Sequence, residues 1–389
     1  SELNFLISIA HQTSVSIEAA RLLSEARGSI RAGSSRSTST RTIPASRRAT
    51  SGPPAPATWP DGVRAIEVRR FGPPDVLQVA DLPDPAPGPE QLLVAAAACD
   101  VLFVDTMIRS GAGAGYFPVK PPYVPGNGVG GEVIAVGDLV SPEWLGRTVA
   151  AHTGGPGGTG GYAQLAVADV EHAVVVPGDV DLLDATAVLH DGTTALRMLE
   201  VCGPRPGEWV LVLGAAGGMG ILLVQLLAAQ GANVIGAARG QAKLAAVARA
   251  GALAAVDYGR PDWAAAVLEG TGGAGPAVVL DGVGGAIGAA AFDLIADGGR
   301  FSAHGSPSGS FAGIDQGAAS RRQIRVNTIR DLQYGAGDRS RLMKDVLGQL
   351  AGHRIVPLIG QTLPLTEAAK AHEAIEARRT VAKTLLLTG

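Results

Sequence analysis

Short apolar segments separated by turns dominate the first part of the chain that shows a regular pattern. Residues 63–68 alternate apolar and polar side chains, which is typical of a strand with one buried face. Similar apolar segments, separated by turns rich in glycine and proline, predict further strands at 76–80, 91–98, 131–136, 148–151 and 161–167. Short strands of this kind indicate a partly antiparallel β-domain of roughly 120 residues.

The pattern changes near residue 210, where apolar runs begin to alternate with segments of helical period. The runs predict strands at 210–213, 234–237, 254–256, 277–280 and 300–302, with helices at 221–229, 241–250, 263–269 and 287–295. Unbroken apolar runs are expected where helices cover both faces of a parallel sheet. We therefore predict the α/β class with a doubly wound parallel sheet. Two helices and two strands are predicted after about residue 328, at 340–351, 367–378, 361–363 and 384–387.

Residues 1–60 have a different composition from the rest. Residues 26–60 contain no acidic side chain, but they contain six arginines among serine, threonine and proline. Such a segment buries too little apolar area to offset the cost of ordering the chain, so we expect a flexible extension. A short helix at 17–26 and an organelle-targeting peptide, which is also rich in arginine and serine, are the alternatives.

Composition narrows the function further. The 389 residues are 46% hydrophobic and 17% charged, with a net charge of −3, which favours two well-packed domains and disfavours a nucleic-acid binder. Two cysteines, Cys99 and Cys202, are too few for a disulfide framework and are expected to be core thiols. No run of about 20 apolar residues predicts a membrane span, so we expect a cytoplasmic protein.

A glycine-rich turn lies between the predicted strand 210–213 and an apolar helix, with the sequence GAAGGMG at 214–220. Ala215, Gly217 and Gly220 occupy the three positions of the G-x-G-x-x-G pattern. Gly217 and Gly218 allow the backbone to approach a pyrophosphate at the helix N-terminus, and Gly220 allows the helix to pack close to the strand. The strand, turn and helix in this order predict a dinucleotide-binding site.

The residues after the second predicted strand indicate which dinucleotide binds. No acidic residue, which would hold a ribose 2′-hydroxyl, occurs from residue 221 to 256. Arg239 instead follows the strand, and Lys243 lies one helical turn later. Cations at these positions suit a 2′-phosphate, which favours NADPH.

Several segments together carry a family resemblance: VDTMIRSG at 104–111, PYVPGNGVGGEVIAVG at 122–137, GAAGGMG, and VLDGVGG at 279–285. From residue 62 onward the chain resembles the zinc-free quinone oxidoreductase branch of the medium-chain dehydrogenase/reductase superfamily. The resemblance implies a homodimer and a GroES-like domain at 61–190, completed by 329–389, around a Rossmann NADPH-binding domain at 191–328.

The resemblance also implies site residues. Those expected to contact the cofactor are Gly217, Gly218, Met219, Lys243, Tyr258, Val283, Gly284, Gly305, Ser306 and Lys383. Thr194 matches a threonine near the nicotinamide, and Asp105 and Arg109 match the substrate side, where they could instead form an ion pair. Tyr116 is a further candidate hydroxyl, and His190 and His304 are either proton donors or histidines bonded to the backbone.

Zinc-dependent relatives carry their metal ligands where this chain has Leu102, Asn127 and Gly128. A catalytic zinc needs about three N, S or O ligands from the protein, so we expect no metal and interpret His152 and His172 as packed or surface histidines. Leu102 and Met107 also replace an Asn and a Tyr of typical quinone reductases, which makes the pocket more apolar.

Without a Lewis acid, the acceptor has to delocalise the negative charge that hydride transfer creates. We therefore expect hydride transfer from NADPH to a quinone or an α,β-unsaturated carbonyl compound. An enoyl-thioester reductase, a catalytically silent NADPH-binding protein and nucleic-acid binding through the arginine-rich extension are the alternatives.

Overall fold

The computed structural model describes residues 62–113, 117–154, 160–335 and 337–389. The extension 1–60, with its predicted helix at 17–26, and Tyr116 lie outside the described residues. No helix in the described ranges is long and apolar enough to cross a membrane.

Strands from both ends of the described chain build the first domain. Its N-terminal strands are β1 (Val63–Val68), β2 (Leu77–Leu82), β3 (Gln91–Val101), β4 (Gly128–Val136), β5 (Thr148–His152), β6 (Leu165–Asp169) and β7 (Ala173–Val175). Its C-terminal strands are β14 (Ile359–Pro364) and β15 (Lys383–Leu387), numbered in chain order. The main sheet has the order β14-β15-β3-β4-β5-β7, with β6 paired to β3, and β1 and β2 form a separate antiparallel pair. The predicted β-domain is therefore present, although its sixth strand begins at Leu165 and not at residue 161.

A parallel sheet forms the second domain. Its strands are β8 (Trp209–Leu213), β9 (Asn233–Ala238), β10 (Ala254–Asp257), β11 (Val278–Asp281), β12 (Arg300–Ala303) and β13 (Arg325–Thr328). The order β10-β9-β8-β11-β12-β13 is the doubly wound order 3-2-1-4-5-6, which confirms the predicted fold class. In this order a crevice for a ligand forms at the carboxyl ends of the strands, next to β8.

Helices cover this sheet and line the junction between the domains. They are α1 (Phe103–Ser110), α2 (Leu182–Val188), α3 (Asp191–Cys202), α4 (Gly218–Ala229), α5 (Gln241–Arg249), α6 (Trp263–Gly270), α7 (Gly285–Leu294), α8 (Gln316–Arg321), α9 (Asp338–Ala351) and α10 (Ala368–Glu376). The sequence pattern did not predict α1, α2, α3 and α8. The helix α8 spans fewer than two turns, and the buried side chains of α1 include Asp105, Thr106 and Arg109, so a search for a buried apolar stripe does not find these two helices.

Buried polar contacts hold α1, the helix that carries two predicted substrate-side residues. The Asp105 carboxylate accepts the backbone N–H of Leu102 at 2.9 Å, which caps the first turn of the helix. The Tyr162 hydroxyl donates to the same oxygen at 3.1 Å, and His372 Nε2 lies 3.1 Å from that hydroxyl. Arg109 donates to Glu376 and to the carbonyl of Gly72. Asp105 and Arg109 thus each have other partners, and α1 forms its ion pair through the buried Arg109 and the more exposed Glu376.

The Asp105 carboxyl makes stability depend on pH. Burial raises the pKa of Asp105 to about 7, with the charge of Asp100 adding to the effect and the hydrogen bond from Leu102 opposing it. In the unfolded chain the Asp105 carboxyl is protonated only below about pH 4. Between these values the folded state binds more protons than the unfolded state, so this group's contribution to stability is lost as the pH rises from about 4 to about 7.

We expect the substitution Asp105→Asn to remove this loss, since an amide oxygen in place of Oδ2 accepts the same two hydrogen bonds without a charge. The free energy of unfolding of the variant, relative to the unsubstituted protein, should rise by up to about 4 kcal/mol from pH 4 to pH 8. Urea denaturation at a series of pH values measures it. Parallel stability curves for the two proteins would show that Asp105 is ionised in both states.

Candidate functional site

The glycine-rich turn has the geometry of a cradle for a phosphate group. It connects β8 to α4, and Gly214 opens it with a positive φ of 72°. A Cβ on Gly220 would lie 2.8 Å from the Cα of Ala215, so only glycine permits this close approach of helix and turn. A Cβ on Gly217 would meet only the Gly214 carbonyl oxygen, at 3.3 Å, so the space above Gly217 is open. The N–H groups of the first turn of α4, at 218–220, have no partner within the helix and are suited to an anion.

Ala215 occupies the first glycine position of the motif without closing this cradle. Its side chain is fully buried, and a Cβ on Gly236 of β9 would lie 3.2 Å from it. The methyl group therefore packs between the turn and the sheet, away from the open side. Met219 is half-buried against the apolar core, so its contribution to the cradle is its backbone.

Four side chains form a cationic cluster beside the ends of β9 and β10. The Arg239 guanidinium lies 5.6 Å from the centre of the Tyr258 ring, and Lys243 donates to the carbonyl oxygen of Arg378 at 2.8 Å. The Arg378 guanidinium donates to the carbonyl of Pro307 and lies over the ring of Phe103 at 4.9 Å. Among the described residues no carboxylate forms an ion pair with Arg239, Lys243 or Arg378.

The electrostatics of this cluster favour an anion. Partial burial lowers the pKa of Lys243, and the adjacent Arg378 and Arg239 lower it further. Asp257, at the end of β10, accepts the backbone N–H groups of Gly240 and Gly259 at 3.1 and 2.8 Å. Its two oxygens are therefore occupied by the backbone. Mutual repulsion among three cations is relieved by a ligand with negative charge.

Sequence reasoning missed Arg378. It lies 135 residues after Lys243, in the short segment between α10 and β15, and only the fold brings the two together. No local pattern around residue 378 distinguishes it from the neighbouring Arg379. A positive φ of 57° places the residue in an uncommon backbone conformation, but the sequence gives no sign of this.

The loops after β11 and β12 meet at the same edge of the sheet. Asp281 accepts the N–H groups of Val283 and Gly284 at 2.9 and 2.8 Å, and its carbonyl accepts the N–H of Gly305 at 2.9 Å. The structure therefore brings Val283, Gly284 and Gly305 together, with Ser306 next in the chain. Burial lowers the pKa of the adjacent His304 to about 4, which makes it a neutral imidazole.

Lys383 lies at the junction of the two domains, below the start of α4. It is 3% exposed, and its ammonium group contacts the carboxylates of Asp100 and Asp191, the latter at 3.1 Å. Burial alone would lower the pKa of Lys383, but these two carboxylates outweigh it and raise the pKa. A Cβ on Gly218 would lie 3.2 Å from the Lys383 side chain, so the lysine packs directly against the glycine-rich turn.

Two histidines continue this network into the β-domain. His190 Nδ1 lies 2.6 Å from the second oxygen of Asp100, and His190 Nε2 lies 2.9 Å from Nδ1 of His152. His152 pairs across β4 and β5 with Gly128, and a Cβ on Gly128 would lie 3.0 Å from the His190 ring. The pair therefore adjoins Gly128, one of the positions at which the resemblance places a metal ligand of zinc-dependent relatives. Within the described ranges no group of three His, Cys, Asp or Glu residues is arranged to hold a metal ion.

Thr194 completes the predicted set. It lies in α3, half-buried, and its hydroxyl is 3.2 Å from that of Tyr334. Asp105 and Arg109 make the contacts within the β-domain described above, and Tyr116 lies outside the described residues. His152 is buried, as one of its two interpretations expected, but the sequence did not predict its contact with His190.

Comparison with known proteins agrees with this architecture. The family model described as an alcohol dehydrogenase GroES-like domain matches residues 88–178, and the one described as a zinc-binding dehydrogenase matches residues 218–337. These two segments correspond to most of the β-domain up to β7 and to the parallel sheet from α4 onward.

The matches to individual relatives extend over almost the whole length of each relative. A probable quinone oxidoreductase of Schizosaccharomyces pombe is 32% identical over 335 residues, covering 83% of this chain and 96% of the relative. A mycobacterial protein solved with NADPH is 31% identical, with a TM-score of 0.75 over 84% of this chain and 100% of that one. The Escherichia coli quinone oxidoreductase solved with NADPH is 26% identical, with a TM-score of 0.77 over the same shares. The chain therefore belongs to the quinone oxidoreductase branch of the medium-chain dehydrogenase/reductase superfamily.

Proposed function

We propose that the protein is an NADPH-dependent oxidoreductase that reduces a quinone or an α,β-unsaturated carbonyl compound. The observation that carries the proposal is the cationic cluster of Arg239, Lys243 and Arg378 with Tyr258, next to a glycine-rich turn at the carboxyl ends of the strands. A 2′-phosphate neutralises such a cluster, whereas NADH would leave three adjacent cations without a counter-charge. Relatives solved with NADPH support the same cofactor.

In this proposal the chain holds the cofactor along the edge of the parallel sheet. Backbone N–H groups of Gly218, Met219 and Gly220 bind the pyrophosphate, and the cationic cluster binds the 2′-phosphate. The loops containing Val283, Gly284, Gly305 and Ser306 cover the nicotinamide side, with Thr194, in α3 of the same domain, as a further residue of that side. NADPH, when bound, supplies the hydride.

The residues around the acceptor favour a substrate that delocalises charge. Leu102 and Met107 present apolar side chains where a polar pocket would orient a simple ketone. Asp105 and Arg109 act as positioning residues, because their polar atoms fix α1 and thereby the segment that carries Leu102 and Met107. An acceptor that forms a phenolate or an enolate needs only hydrogen bonds and placement, not a Lewis acid.

A panel of acceptors tests the proposal. We expect NADPH oxidation with 1,4-benzoquinone or a short enone, a strong preference over NADH, and no effect of a chelator, all measured by NADPH absorbance. Activity that disappears with chelator and returns with zinc would contradict the metal-free proposal. Faster turnover of a crotonyl thioester would assign the enzyme to enoyl-thioester reduction, and tight NADPH binding without any turnover would indicate a silent binding protein.

The substitution Gly217→Ala tests the phosphate cradle separately from the fold. Gly217 has a φ of −78°, which alanine adopts readily, and the added methyl meets one protein atom, at 3.3 Å. We expect an unchanged melting temperature but a Kd for NADPH raised about tenfold or more, because the methyl occupies the space of the pyrophosphate. Gly178→Ala, where a Cβ would meet nothing within 4 Å, is the matched control. Equal NADPH affinity of both variants would show that the pyrophosphate binds elsewhere.

The substitution Arg378→Ala tests the cationic cluster. A charged hydrogen bond to phosphate contributes about 1.5–3 kcal/mol, so we expect KM for NADPH to rise by about one to two orders of magnitude. KM for NADH should change little, since NADH lacks the 2′-phosphate. Arg379→Ala, at the neighbouring exposed arginine, is the control and should leave both values unchanged. A parallel loss of affinity for both cofactors would assign Arg378 a structural role only.

A further inference from the structure

One unbroken line of polar contacts, an ion pair followed by two hydrogen bonds, connects the domain junction to a buried histidine. It runs from Lys383 to Asp100, from Asp100 to His190 at 2.6 Å, and from His190 to His152 at 2.9 Å. Asp100 is fully buried and His152 is 4% exposed, whereas 16% of the His190 side chain is accessible. Asp100, His190 and His152 take no part in the contacts that fix α1 or in the proposed contacts with the cofactor.

The charges along this line determine where its hydrogens lie. Burial alone would raise the pKa of Asp100, but Lys383 and His190 outweigh it and lower the pKa, so Asp100 is a carboxylate. A carboxylate only accepts, so Nδ1 of His190 carries a hydrogen. When His190 is neutral, its Nε2 accepts the Nδ1–H of His152. When His190 is protonated, its Nε2–H donates to His152, whose own hydrogen then lies on Nε2.

The end of the line has no partner in the protein. Nε2 of His152 is buried and makes no hydrogen bond among the described residues. The described residues hold ten such atoms, and Nε2 of His152 is the one at the end of this line of polar contacts. Buried polar atoms usually have a partner, so a nitrogen in this position suits a group that is bound only part of the time. Of the four ring nitrogens in the histidine pair, this one alone is available to such a group.

The position of the pair matches the cleft where the reaction is proposed to occur. His152 faces Gly128 across β4 and β5, and Asp191, the residue after His190, contacts Lys383 below the phosphate cradle. His190 precedes α3, which carries Thr194 one turn later. The pair thus lies between the segment that binds zinc in zinc-dependent relatives and the turn proposed to bind NADPH.

We propose that His190 and His152 form a proton relay that delivers the reaction's proton to the acceptor oxygen from Nε2 of His152. The inference rests on the proposed function and adds the proton donor. His190, held against Asp100, passes its Nε2 hydrogen to His152.

The step balances in atoms and charge. Hydride from NADPH adds to a carbon of the acceptor, and the electron pair that is displaced leaves a negative charge on the acceptor oxygen. The bond between Nε2 of His152 and its hydrogen breaks as the O–H bond forms, and Nδ1 of His152 takes the hydrogen from Nε2 of His190. His190 is left neutral with its Nδ1–H on Asp100, and one proton from water restores the starting state.

The surroundings disfavour a proton on His152. Burial lowers the pKa of His152 well below its ordinary value, and His190 and then Arg339 lower it further. The charged and titratable groups that face the pair are Asp100, Lys383, Asp191, Arg339 and His172. The carboxylate that contacts a ring nitrogen of the pair, Asp100, does so at His190.

Substitutions at His152 test the relay in the full-length enzyme with NADPH and 1,4-benzoquinone. In His152→Asn an amide replaces Nδ1 and keeps the contact with His190, and in His152→Gln an amide replaces Nε2, but neither amide transfers a proton. We expect kcat to fall about 100-fold or more in both, with Kd for NADPH changed less than about threefold. Imidazole should partly restore kcat in His152→Ala. His172→Gln, at a more exposed histidine, is the control.

A spectroscopic measurement distinguishes a relay from a merely structural pair. In ligand-free protein with ¹⁵N-labelled histidine, the hydrogen of His152 should be found on Nδ1 at one end of the pH range and on Nε2 at the other, while His152 stays neutral. Asp100→Asn should abolish this coupled change.

Two results would overturn the relay alone: unchanged kcat in both His152 variants, or a His152 tautomer that stays the same at every pH measured. If none of the acceptors in the panel supported NADPH oxidation, both the proposed function and the relay would be overturned.

Discussion

The ion pair of Lys383 with Asp100 and Asp191 is the contact on which the arrangement of the molecule depends. It connects β15, β3 and α3, which are distant in the chain, at one buried point below the phosphate cradle. Removing one partner of such a buried pair leaves an uncompensated charge and costs about 3–5 kcal/mol. The same contact keeps Asp100 ionised. It therefore influences both the position of the domains and the hydrogen on Nδ1 of His190, which the Asp100 carboxylate accepts.

The cofactor site and the acceptor site follow different physical rules. The cofactor side is built from backbone N–H groups and exposed cations, which suits a ligand with three phosphate groups. On the acceptor side the proposed function places apolar residues such as Leu102 and Met107. Apolar pockets with a few polar groups orient a ligand mainly through shape.

Local patterns in the sequence predicted the parallel sheet, the glycine-rich turn and the cations Arg239 and Lys243, because each depends on residues within one strand, turn and helix. The contacts of Arg378, Lys383 and His152 were not predictable in this way. Their partners lie 135, 283 and 38 residues away in the chain. The helix α1 was missed for a related reason: its Asp105 and Arg109 have a solvent-exposed pattern, but distant partners allow them to be buried.

The pairing of β15 with β3 has a consequence for synthesis of the protein. Leu386 of β15 lies opposite Cys99 of β3, so about 280 residues, including the complete parallel sheet, leave the ribosome between the two strands. At about 5–20 residues per second, the carboxyl half of β3 waits for its neighbour for roughly 15–60 s. During that interval its open edge is a template for a strand of another nascent chain. Crowded polysomes and slow translation therefore favour aggregation of this chain before its last strand arrives.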